Sequence, residues 1–174
     1  MIRCYIGLGS NLANPRQQLH QAVLAFKQMT HCQLVAISSL YGSKPMGPQD
    51  QPDYMNAVLA LDTTLTAESL LDATQQIELE QGRVRKKLRW GPRTLDLDLL
   101  LFGNQTIETS RLTVPHYGLE QREFVVLPLA EIAPQLILPN GHEIAGLAKT
   151  IQINQIKRLE PASEWTANSV TERL

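Results

Sequence analysis

The chain has 174 residues, of which 43% are hydrophobic and 19% charged, the proportions of one globular domain with a substantial core. Its net charge of −1 gives no case for nucleic acid or a membrane surface as partner, and no apolar run approaches the roughly 18 residues of a membrane span. The two cysteines, Cys4 and Cys32, stand in no metal-ligand spacing, and Met1-Ile2-Arg3 opens onto a strand pattern and not a signal sequence, so a reducing cytoplasm is the expected setting.

Residues 3–8 (RCYIGL) read as a first strand, closed by Gly9-Ser10-Asn11. Asn14 before Pro15 is an N-cap signal, and Leu19, Val23, Phe26 and Met29 recur at helical spacing, which predicts a helix over 15–29. A second strand is expected over 33–41. Pro45, Pro48 and Pro52 then make a stiff loop from Gly42 to Asp53, and a third strand spans 54–61. Thr66 caps a helix over 67–81 that turns Leu70, Leu71, Thr74 and Ile77 inward and stops at Gly82. Residues 94–102 read as a fourth strand, Gly103-Asn104 as a turn, and 112–114 as a short strand ending at Pro115. Helical turns over 119–139 are expected to break at Pro128 and Pro134. The last 30 residues are weakly patterned; 1–160 read as a single domain and 161–174 as a tail, with disorder expected over 163–174. Strand, helix, two strands, helix, strand is the ferredoxin-like α+β order, an antiparallel sheet with helices packed on its faces.

The fourth strand carries the most informative pattern. In TLDLDLLLF (94–102), Leu95, Leu97, Leu99 and Leu101 share one face, and Asp96 and Asp98 lie together on the other. Two residues along a strand span about 6.5–7 Å, close enough for both carboxylates to hold one or two hard cations. Just before them, Arg83, Arg85, Lys86, Lys87, Arg89 and Arg93 place six of the sixteen Lys and Arg within eleven residues, with no acidic residue between. Either feature alone reads first as a solvated face or a soluble loop. Side by side, they suit a polyphosphate bridged by magnesium and clamped by guanidinium groups.

The runs YIGLGSNL (5–12), DQPDYMNAV (50–58), QGRVR (81–85), WGPRTLDLDLL (90–100), VPH (114–116) and EIAP (131–134) occur in this order. Over about residues 4–140 the chain resembles the 6-hydroxymethyl-7,8-dihydropterin pyrophosphokinase family of folate biosynthesis. That resemblance implies transfer of a diphosphate from ATP to the pterin hydroxymethyl group, with release of AMP, by a monomer. It implies two Mg2+ ions held by Asp96 and Asp98, with Arg83 and Arg93 as catalytic phosphate clamps. By the same resemblance Gln75, Glu78, Arg85, Lys86, Trp90, Leu99, Arg111, Thr113, His116, Tyr117 and Arg122 join Arg93 around ATP. Ser43, Pro45, Met46, Tyr54, Asn56, Trp90 and Phe124 would hold the pterin, with Tyr54 and Phe124 on opposite faces of the ring. Asn56 shares a strand face with Tyr54 and offers both donor and acceptor. Met46 departs from the leucine of the family pattern, and the loop 83–91 is expected to close over ATP. Gly7-Leu8-Gly9-Ser10 is no phosphate-binding loop, since the chain lacks G-x-x-x-x-G-K-[ST]; it reads as a strand end needing small residues near the ligand.

Two rivals stand beside this reading. A magnesium-dependent kinase moving one phosphoryl group would yield ADP, and a ferredoxin-like RNA-binding module would use Tyr54 and Phe124 to stack bases. The net charge and an aromatic content of 5% count against the second.

Overall fold

The computed structural model describes residues 1–12, 14–44, 52–81, 95–153 and 156–167. In chain order the elements are β1 (Ile2–Ser10), α1 (Pro15–Lys27), β2 (Cys32–Ile37), β3 (Leu40–Ser43), β4 (Tyr54–Thr63), α2 (Ala67–Glu80) and β5 (Asp96–Phe102). They continue as β6 (Ile107–Glu108), β7 (Thr113–Val114), α3 (Glu123–Ile132), α4 (Ile144–Thr150), β8 (Lys157–Glu160) and α5 (Ala162–Trp165). The main sheet runs β5-β1-β4-β3-β8, with β2 also pairing β4, and every pairing is antiparallel. β6 and β7 form a separate ladder. Among the described residues no helix is long and apolar enough to cross a membrane.

One face of the sheet presents Cys4, Ile6 and Leu8 of β1 with Leu59 and Leu61 of β4, and is covered by Leu19, Val23 and Phe26 of α1 and Leu70 and Ile77 of α2. The opposite face buries Tyr5, Val58, Ala60, Leu100 and Leu101 under Val125, Val126 and Leu129 of α3 and Ile144 of α4. The antiparallel sheet with α1 and α2 on one face is the ferredoxin-like α+β arrangement, and α3 and α4 add a second helical layer on the opposite face. The helix starts differ from each other. Thr66 caps α2 by accepting the Ser69 N–H at 3.2 Å. Asn14 precedes α1 in the left-handed region (φ 61°) and makes no side-chain cap; its amide donates to Gln17 instead.

Four local expectations are corrected. The strand expected over 33–41 is broken at Ser38-Ser39, because the Ser38 hydroxyl accepts the Val58 N–H at 2.9 Å and replaces a ladder bond. The alternation of β5 fails at Leu100. Tyr5 pairs with Leu101 but Ile6 with Leu99, so Leu100 is a bulge residue, and Leu101 turns to the α3 side while Leu95, Leu97 and Leu99 stay opposite. Pro128 lies inside α3 without ending it, since burial of Val125, Val126, Pro128 and Leu129 outweighs the lost backbone bond. Finally, residues 163–167 are folded, and only 168–174 of the expected tail fall outside the described residues.

That last correction rests on Trp165, which is fully buried against the α1 core and donates its indole N–H to the Ser38 carbonyl at 3.0 Å. β8 extends the sheet at β3, and Arg16 of α1 makes a forked pair with Glu160. Trp165→Ala should therefore cost about 3–5 kcal/mol in the free energy of unfolding. Urea denaturation followed by far-UV circular dichroism would measure it, and a loss below about 1 kcal/mol would contradict a core role for this side chain.

Candidate functional site

A cleft of about 250 Å³ opens on the α3 face of the sheet, at the end that α3 leaves uncovered. Its floor is Gly7 and Gly9 of β1, whose missing side chains leave room that the flanking strands fill. Register places Asp96 and Asn56 on either side of Gly9, and Asp98 and Val58 on either side of Gly7. Two inter-strand steps separate β5 from β4, about 9.5 Å, so the carboxylates and the amide face one another across a bare strand. A Cβ on Gly9 would stand 3.2 Å from the Asn56 Oδ1, too close for the amide to keep its place.

At the β3–β4 end, Asn56 is 4% exposed and donates to the Ser43 hydroxyl at 2.6 Å. Tyr54, Lys44 and, from α3, Phe124 and Val125 complete this wall. Planar apolar surface beside a fixed amide and hydroxyl suits a flat heterocycle with polar edges.

At the β5 end, Asp96 and Asp98 share the cleft with His116, Tyr117 and Arg122. The His116 Nε2 lies 3.8 Å from an Asp98 oxygen, while Nδ1 accepts the Gly118 N–H at 3.1 Å. The neutral ring therefore carries its proton on Nε2, aimed toward the carboxylates. Burial, reinforced by the charge of Arg122 and opposed by Asp96, lowers its pKa to about 4, so the ring is neutral near pH 7. His116 stacks on Tyr117 with centroids 4.5 Å apart, and Arg122 lies over both Tyr117 (5.2 Å) and Phe124 (5.8 Å). These contacts form one ladder joining the two ends of the cleft. Gly118 makes space for it, since a Cβ there would fall 2.4 Å from the Arg122 Nε.

Among the described residues no group of three or more His, Cys, Asp or Glu could by itself hold a metal ion. Two hard carboxylates on one strand face, lining a cleft, instead suit a divalent cation that keeps waters or ligand oxygens in its remaining positions.

The cleft thus brings together Ser43, Tyr54, Asn56, Asp96, Asp98, His116, Tyr117, Arg122 and Phe124 from the sequence-derived set. Five others lie apart from it. Glu78 is buried on α2, where its carboxylate accepts the Leu97 N–H at 2.9 Å, and Leu99 is in the α1–α2 core. Gln75 is half-buried on α2; Thr113 is exposed on β7. Arg111 pairs with Asp72 and Glu68 of α2. Pro45, Met46, Arg83, Arg85, Lys86, Trp90 and Arg93 lie outside the described residues, as does the loop expected to close. Lys44, Leu100 and Val125 line the cleft without having been singled out in the sequence; only their places beside Ser43, Asp98 and Phe124 point to them.

Residues 5–134 match the family model described as 7,8-dihydro-6-hydroxymethylpterin-pyrophosphokinase (HPPK). The 2-amino-4-hydroxy-6-hydroxymethyldihydropteridine pyrophosphokinase of Haemophilus influenzae is 54% identical over 161 residues, covering 92% of this chain and all of that protein. The protein of the same description from Pseudomonas aeruginosa is also 54% identical, over 92% of this chain and 98% of its own length. In fold, the chain is similar to the crystal structure of Plasmodium falciparum HPPK-DHPS wild type, with a TM-score of 0.68 at 13% identity; the match covers 85% of this chain and 44% of that one.

Two outcomes follow from the geometry. In the metal-free protein the His116 imidazole should titrate near 4 in an NMR pH series, with a neutral Nε2–H tautomer between pH 5 and 7. Because the folded ring resists a proton that the unfolded ring accepts near its ordinary value of 6.5, stability should fall as pH drops from about 6.5 toward 4. A midpoint at 6.5 would contradict the burial argument. Gly118→Ala should displace the Arg122 guanidinium from Tyr117, changing the Tyr117 ring shifts while leaving the melting temperature within a few degrees.

Proposed function

The chain belongs to the 7,8-dihydro-6-hydroxymethylpterin-pyrophosphokinase family, enzymes of folate biosynthesis, and from that premise we propose that it transfers the β,γ-diphosphate of ATP to the hydroxymethyl oxygen of 6-hydroxymethyl-7,8-dihydropterin, releasing AMP. One observation carries the reading: a carboxylate pair and a heterocycle slot meet in a single cleft across Gly7 and Gly9.

The division of labour follows from the two ends. Tyr54 and Phe124 would flank the pterin ring while Asn56 and Ser43 read its polar edge, which directs the hydroxymethyl group toward β5. The hydroxymethyl oxygen then forms a bond to the β-phosphorus, and the bond from that phosphorus to the oxygen of the α-phosphate breaks, its electron pair leaving with AMP. The hydroxyl proton goes to water; a loose transition state needs no strong side-chain base. Asp96 and Asp98 would hold magnesium, which supplies charge neutralisation at the phosphate oxygens. His116, neutral and protonated on Nε2, donates to a phosphate oxygen without pairing off the carboxylates as an imidazolium would. Arg122 adds fixed positive charge. Arg83 and Arg93 are assigned the remaining clamps, with Arg85, Lys86 and Trp90 toward the nucleotide. Gln75, Glu78, Leu99, Arg111 and Thr113, which do not line the cleft, are assigned to the part of the nucleotide that extends beyond it. Pro45, Met46 and Trp90 are assigned to the pterin side.

Incubation with ATP, magnesium and 6-hydroxymethyl-7,8-dihydropterin should give pterin-dependent AMP on nucleotide chromatography. ADP in its place would make the chain a single-phosphoryl kinase. Asp98→Asn and Asp96→Asn should each lower kcat by roughly 100-fold or more with the melting temperature preserved, since both side chains face the cleft and not the core. Full turnover in either variant would refute the metal assignment.

A further inference from the structure

The C-terminal turn of α3 carries a carboxylate that the reaction does not use. Glu131 accepts the Ser39 N–H at 3.0 Å on one oxygen and 3.1 Å on the other, the Ser39 hydroxyl at 2.7 Å and the Tyr41 hydroxyl at 2.7 Å. Arg158 of β8 approaches the same carboxylate at 3.9 Å and donates to the Ser39 hydroxyl at 2.8 Å. One side chain of α3 thus ties that helix to the start of β3, with a third element bracing the link.

We propose that Glu131 is a positioning residue for substrate recognition, fixing the α3 wall of the cleft against its β3–β4 wall so that a flat pterin fits between them. The inference rests on the pterin reading above. Tyr41 pairs with Asn56 across the β3–β4 ladder, and Ser43 pairs with Tyr54, so the strand end of the link sits in the rows that carry the heterocycle contacts. The helix end lies seven residues beyond Phe124, about 10 Å along α3. Val125, Val126 and Leu129 already bury α3 against the sheet. That apolar packing is non-directional and leaves the helix free to slide or tilt by small amounts. Directional bonds to a charged acceptor remove the freedom. A shift of the order of 1 Å at the far end would spoil the contacts on both faces of the ring, while Asp96 and Asp98, carried on β5 against β1, would stay in place.

The test separates the two ligands. The full chain and its variants are titrated calorimetrically with a nonhydrolysable ATP analogue and magnesium, then with 6-hydroxymethyl-7,8-dihydropterin on the nucleotide complex, and each is melted. Glu131→Ala should weaken pterin binding roughly tenfold or more and Tyr41→Phe about threefold, with nucleotide affinity, which rests on the β5 carboxylates as well as on Arg122, falling by a clearly smaller factor. Glu131→Gln keeps an acceptor for the Tyr41 hydroxyl and should recover most of the loss. If Glu131→Ala does not fold, Tyr41→Phe is judged by the same split. Unchanged pterin affinity in Glu131→Ala, or in Tyr41→Phe where the alanine variant does not fold, would overturn the proposal, as would pterin and nucleotide affinities falling by one common factor along with the melting temperature. A wild-type chain that binds the nucleotide but no pterin would remove the functional reading itself, and this inference with it.

Discussion

The site depends on a strand that has no side chains where its neighbours need room. Gly7 and Gly9 sit in the middle of the sheet, held from both sides by antiparallel ladders, and β1 can afford them because Cys4, Ile6 and Leu8 anchor it from the opposite face. A side chain at Gly9 would crowd the Asn56 amide, and one at Gly7 would lie against Leu100 on the cleft floor. The same sheet thus performs two tasks that usually compete. One face is a closed apolar core, and the other is closed under α3 and α4 but left open where the glycines lie.

Around that opening, charge is arranged by polarity and not by quantity. The carboxylates stand at one end, and the neutral His116 presents a donor to them instead of a second cation. The aromatic ladder from His116 through Tyr117 and Arg122 to Phe124 keeps the guanidinium on ring faces, so it is oriented before any anion arrives. Preorganisation of this kind lowers the cost of ordering groups during the reaction.

Much of this arrangement is legible in the sequence, and the exceptions share a cause. The period-2 run of Asp96 and Asp98, the 3.6-period run of Leu19, Val23 and Phe26, and the Thr66 cap are local signals, and each was met. The bulge at Leu100 was not legible, because four consecutive apolar residues from Leu99 to Phe102 fit either face once both are buried. Ser38-Ser39 and β8 likewise owe their form to partners far along the chain: Val58, Trp165 and the edge of β3. Trp165 stands alone in a polar stretch with no period, so its burial had no pattern to announce it. For the cleft, the carboxylate pair could be argued from spacing, whereas the aromatic and amide residues were placed by resemblance, since their meeting depends on strand order. Glu131 stood in the sequence only as the first residue of EIAP, and neither it nor Gly118 carried a sign of its role, because a carboxylate near a helix end and a glycine in a loop are commonplace.

The margin of the sheet has one further consequence. Among the described residues β5 is an outermost strand, and a strand in that place offers backbone groups to any passing chain. Here the Leu97 N–H is taken by the Glu78 carboxylate and the Leu100 carbonyl by the His116 N–H, while the bulge at Leu100 spoils the flat repeat that a foreign strand would need. The contacts that shape the working edge therefore also occupy backbone groups that a foreign strand would need for pairing.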